Sequence, residues 1–100
     1  MATNDGSPVR VIDVQMTEQH FKDMLTDAFS GSVQKVEGDT IHLEDGGRSV
    51  RIELHEQPNR QLGSLDLPME RVRFEFDGHS EAEADEFMER YRTASMRTGG

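Results

Sequence analysis

Apolar and polar positions along this chain fall into two rhythms, one of period two and one of period near four. The clearest stretch runs from Met69 to Tyr91. Val72, Phe74 and Phe76 alternate with Arg71, Arg73, Glu75 and Asp77, which predicts a strand with one buried face. Asp77-Gly78 marks a turn. Ser80 followed three residues later by Glu83 has the spacing of a capping box, so a helix starts there. Ala84, Phe87, Met88 and Tyr91 then recur at i, i+3, i+4 and i+7 as one apolar stripe. Strand, turn and helix carry four of the six aromatic residues, and are expected to nucleate the core.

Upstream, Val9–Val14 predicts a short strand. Its alternation is not clean, which fits an edge strand or one buried on both faces. Thr17 suits an N-cap and Glu18 the first turn. Phe21, Met24, Leu25, Ala28 and Phe29 follow at helical spacing, so a helix is expected from Glu18 to Phe29, ended by Ser30-Gly31. Three strands come next: Val33–Glu37, Thr40–Glu44 and Arg48–Glu56. With Asp45-Gly46 as a two-residue hairpin loop, Ile41 faces Val50 and His42 faces Ser49. That places Ile41, Leu43, Val50, Ile52 and Leu54 on one face, and His42, Glu44, Ser49, Arg51, Glu53 and His55 on the other. Gln57–Gly63 predicts a loop from its Pro, Asn and Gly. Leu65 and Leu67 bracket Asp66 in a short extended segment that Pro68 interrupts.

The element order is β-α-β-β-β-(β)-β-α. Short connections between the middle strands imply antiparallel pairing. The expected fold is α+β: a sheet of four to five antiparallel strands with two amphipathic helices on one face. The other sheet face is left wet and charged. A single domain is expected over residues 9–97, with a disordered start at 1–8 and a frayed tail at 98–100.

Composition narrows the functional classes. The chain has 100 residues, no cysteine, and a net charge of −9 from 20 acidic and 11 basic residues. Without cysteine there is no disulfide or thiolate chemistry. The acidic field disfavours nucleic-acid phosphates and anionic lipid. No apolar run has the length of a membrane span, and the first residues lack a signal-peptide core. A cytoplasmic protein that binds neither nucleic acid nor membrane is expected. Among the basic residues, nine are Arg and two are Lys.

No stretch spells out a catalytic chemistry. Nucleophile elbows, glycine-rich phosphate loops and metalloprotease helices are absent, and the chain is read as non-enzymatic and without a cofactor. Arg51, Arg71 and Arg73 are expected on the wet sheet face with Glu53 and Glu75 among them. Such guanidinium groups suit a small anion or nucleotide; alternating signs equally suit cross-strand ion pairs. His42 and His55 share that face. Together with His20 and His79 they lack the spacing of a zinc site, so no metal is expected.

Two partial likenesses bear on function. The run VRFEFDGHSEAEADEFMERY (72–91) is similar to the closing strand and helix of PilZ domains, which bind cyclic dinucleotides. The RxxxR and D/N-x-S-x-x-G signatures of that family are not present: Arg48 and Arg51 form an RxxR. The terminal Gly99-Gly100 resembles the tail of ubiquitin-like modifiers and sulfur carriers, but follows a helix rather than a strand. The reading that remains is a small acidic protein acting through a protein partner or self-association. The wet face with Arg51, Arg71, Arg73, His42 and His55 is the candidate surface.

Overall fold

Five antiparallel strands form one sheet, and two helices cover one of its faces, in a computed structural model that describes residues 7–97. The expected tail at 98–100, with its Gly-Gly, and residues 1–6 of the expected disordered start lie outside the described residues. The order along the chain is β1 (Val9–Val14), α1 (Glu18–Ala28), β2 (Val33–Glu37), β3 (Thr40–Asp45), β4 (Arg48–Leu62), β5 (Leu65–Asp77) and α2 (Glu81–Arg97). In space the strands run β1-β5-β4-β3-β2. The chain therefore leaves one edge of the sheet at β1 and enters the other edge at β2, with α1 between them. The α+β architecture predicted from alternation is the one observed. Among the described residues no helix is long and apolar enough to cross a membrane.

The core is the meeting of the inner sheet face with the two helix stripes. Ile41, Leu43, Val50, Ile52, Leu54, Val72, Phe74 and Phe76 are buried from the sheet, and Phe21, Met24, Leu25, Ala84, Met88 and Tyr91 from the helices. Phe87 bridges the layers, stacked on Phe29 with centroids 4.6 Å apart and set edge-on to Phe76 at 5.3 Å. Phe21 meets Tyr91 at 5.9 Å. The N-terminus of α1 is capped by Thr17, whose hydroxyl accepts from the His20 amide at 3.2 Å. The box at α2 is complete: the Ser80 amide donates to Glu83 Oε1 at 2.8 Å, and the Glu83 amide donates to Ser80 Oγ at 3.1 Å. β1 is an edge strand, as its broken alternation allowed. Pro8, assigned from sequence to the disordered start, is buried, and its carbonyl accepts from the Phe76 amide at 3.0 Å.

Two expectations are corrected. The β3–β4 hairpin pairs Ile41 with Ile52, His42 with Arg51 and Leu43 with Val50, not Ile41 with Val50 and His42 with Ser49. Asp45 pairs with Arg48, and the loop is Gly46-Gly47. A tight hairpin loop of this kind needs positive φ at both central positions, and the two glycines supply it at φ 62 and 83. The pairing moved by one residue on each strand, so every side chain keeps its face, and the inner and outer assignments stand.

The second correction is larger. Gln57–Gly63 is not a loop, and Leu65–Leu67 is not a separate segment. β4 and β5 pair continuously from Ser49–Asp77 to Leu62–Leu65, and turn at Gly63-Ser64 with Gly63 at φ 60. The register slips between Gln57 and Arg60, so that Pro58 and Asn59 stand opposite Pro68. A β-bulge tolerates what a regular ladder cannot, and both prolines sit where the ladder is already interrupted. Beyond this bulge the hairpin has no neighbouring strand: β3 reaches only Glu53 and β1 only Glu70. Residues 57–69 thus form a two-stranded arm, in a molecule whose longest dimension is 45 Å.

Candidate functional site

The outer sheet face is covered by neither helix, and the register lays its side chains out in rows. One row reads Val9, Glu75, Arg51, His42, Lys35; the next reads Val11, Arg73, Glu53, Thr40, Glu37; a third reads Asp13, Arg71, His55. At the centre, β4 and β5 present two residues each. Arg51 lies beside Glu75 across the pair and Glu53 lies beside Arg73, so the four charges alternate around a square. Arg51 approaches Glu53 at 3.0 Å and Glu75 at 3.2 Å. Arg73 approaches the same carboxylates at 3.9 and 3.7 Å.

All five residues singled out from sequence lie on this face, but they do not converge on one point. Arg51 and Arg73 share the central square. Arg71 stands apart and donates to Asp13 at 2.9 Å, which holds the Asp13 carboxyl below its ordinary value and raises the guanidinium. His55 lies 3.4 Å from Glu53, and His42 lies 3.5 Å from Glu37. Each of the three guanidiniums faces a carboxylate, so a small anion would have to displace Glu53, Glu75 or Asp13. A shallow concavity of about 380 Å³ lined by His42, Ser49 and Arg51 also contains Glu75 and Asp77, which oppose an anion there. Among the described residues, no three His, Asp or Glu side chains are placed to hold a metal ion.

The residues missed from sequence are apolar. Along β5 the alternation changes phase. From Arg71 to Asp77 the apolar residues point inward, but from Leu65 to Met69 they take the outer positions, with Asp66 and Pro68 opposite. On β4, Val50, Ile52 and Leu54 are inward, whereas Leu62 past the bulge is outward and pairs with Leu65. The phase turns over at the cross-strand pair Glu56–Glu70. The outer face therefore continues from the charged square onto an apolar strip of Met69, Leu67, Leu65 and Leu62. Leu62 and Leu65 are 47% and 58% exposed. Along the lateral edge of the square, on β1, Val9 and Val11 are 36% and 54% exposed.

A second, smaller feature lies between α2 and the sheet. A cavity of about 60 Å³ is lined by Phe29, Phe87, Arg48, His79 and Arg90. Arg48 is engaged by Glu83, and the Arg90 guanidinium sits 4.6 Å above the Phe29 ring. Its cations are already satisfied and its volume is that of a packing gap. No protein-family model matches the chain, and no curated protein matches it.

Proposed function

We propose that this chain is a non-enzymatic binding module that docks a protein on its outer sheet face. One observation carries the reading. Of the six large apolar side chains exposed among the described residues, four lie on that one face: Val9 and Val11 beside the charged square on β1, and Leu62 and Leu65 beyond it along the arm. Scattered exposed apolar residues need no explanation, but a rimmed face of them marks an interaction surface. The alternating square supplies register and specificity between the apolar flanks, as complementary charges do at interfaces.

The test is charge reversal of both central arginines, Arg51→Glu with Arg73→Glu. Association measured by scattering and by co-purification from host lysate should be lost, while the thermal unfolding midpoint stays within a few degrees of the parent. Undiminished association in a folded double variant would remove the sheet face from consideration.

A further inference from the structure

We infer that the partner of the outer face is a second copy of this chain, docked face to face about a two-fold axis parallel to the β4–β5 hairpin. The inference deepens the proposed docking role and rests on it. Its basis is the symmetry of the charged square. In two copies facing each other across an in-plane two-fold axis, each position meets its own mirror position across that axis. With the axis running between β4 and β5, Arg51 of one copy meets Glu75 of the other, and Glu53 meets Arg73. Every cation of the square meets an anion. A partner matched to a simply acidic protein would be basic and would require an acidic face. This face instead alternates in sign, which suits a copy of itself.

The arm selects between the two self-complementary axes. An axis across the strands also pairs the charges, Arg51 with Glu53 and Glu75 with Arg73, but sends the two arms in opposite directions. An axis along the hairpin superposes the arms, so that the Leu62 and Leu65 end of one arm lies on the same end of the other, while Leu67 lies over Arg60. Leu62 of one meets Leu65 of the other because those two are cross-strand partners. The arm is also where two acidic copies approach at least cost. Residues 57–69 carry one cation, Arg60, and one anion, Asp66, in a chain of net charge −9.

The area is sufficient. About this axis β4 lies over β5 and β3 over β1, while β2 has no counterpart. Four strands about 4.8 Å apart and six residues at about 3.3 Å rise give a face of about 19 by 20 Å, and the two-stranded arm adds about 200 Å². The projected total of about 600 Å² per copy, about 1,200 Å² for the pair, is at the lower end of the range for specific interfaces.

The experiment is sedimentation equilibrium of the full chain from about 1 µM to about 500 µM, where a dimer of micromolar or tighter affinity is populated. The parent should reach twice its monomer mass. Arg51→Glu should weaken the dimer about tenfold or more, since like charges then meet across the axis. Two double variants with the parent's net charge decide the geometry. Arg51→Glu with Glu75→Arg exchanges residues that face each other across the axis and should restore dimerisation. Arg51→Glu with Glu53→Arg places like against like and should not. Leu65→Ser should also weaken the dimer. Circular dichroism of each variant checks that it is folded. A monomer at the top concentration, or a dimer indifferent to these changes, overturns the inference; restoration by the Glu53 exchange instead of the Glu75 exchange overturns the axis. The docking role fails separately, only if Arg51→Glu with Arg73→Glu also leaves association with host proteins intact.

Discussion

Glu70 is the only charged residue buried among those described, at 5% exposure, and its Oε1 has no hydrogen-bond partner. It points inward from β5, opposite Val14 on β1 and Glu56 on β4. Desolvation raises its pKa above the ordinary carboxylate value. The charges of Glu18 from α1, Glu56 from β4 and Asp39 from the β2–β3 turn push the same way, and His55 opposes them. A folded-state pKa above the unfolded one means that the native state holds this proton more tightly. The stabilisation is complete below the ordinary carboxylate range and is lost as pH rises through the raised value. Glu70→Gln, neutral at every pH, should therefore stabilise the protein at pH 7. The gain comes from removing the buried charge, about 1.4 kcal/mol for each pH unit by which the native pKa lies above the unfolded one, and should shrink toward pH 4. Urea unfolding at both pH values checks this; equal gains would mean that the charge is not the cause. Asp13 and Glu83 act in the opposite sense. The hydrogen bond from Arg71 to Asp13 and that from the Ser80 amide to Glu83 lower their pKa values, so their contribution is present above the ordinary range and fades as pH falls.

At the level of elements, the arm is the least supported part of the fold. Its two strands have only each other, and no residue from 57 to 69 is fully buried. A lone two-stranded hairpin is marginal in water. In dilute protein, amides of residues 57–69 should exchange at least about tenfold faster than those of 48–56 and 70–77, because local openings range from near zero to the global stability. Peptide-resolved hydrogen exchange reads this directly, and equal protection would show that the arm is not a separate unit. The arm also marks where sequence reading stopped working. Pro58, Asn59, Gly63 and Pro68 are loop signals by local propensity, yet cross-strand pairing with a bulge accommodates all four. The β3–β4 pairing failed more mildly: Gly46-Gly47 outcompeted Asp45-Gly46 for the two positive-φ positions. Because side-chain direction repeats every two residues, that error left each face intact. The capping box at Ser80 and Glu83 and both helix stripes were legible because they depend on neighbours three or four residues away.

At the scale of the whole molecule, strand order and the candidate surface depend on contacts distant in sequence. Nothing local in Val9–Val14 says that it lies beside β5, and so nothing local puts Val9 and Val11 on the face of Arg51 and Arg73. The polar half of that face was readable from alternation; the apolar half required the arm. The charge of −9 then sets a condition on assembly. Two such copies repel over a Debye length, about 30 Å at 0.01 M salt and about 8 Å at 0.15 M. The facing arginine–carboxylate pairs act at contact distance and weaken only as the screening length approaches about 3 Å near 1 M. Dimer affinity should therefore rise between 0.01 and 0.15 M salt and fall toward 1 M. A steady rise would assign the association to the leucine strip alone, with no share for the square. A steady fall would mean that the facing arginine–carboxylate pairs outweigh the net repulsion at every salt concentration. The variant carrying Arg51→Glu with Glu75→Arg has the same net charge and the same opposed pairs across the axis. It should reproduce the maximum at the same salt concentration, which separates the long-range repulsion from the identity of the residues that make contact.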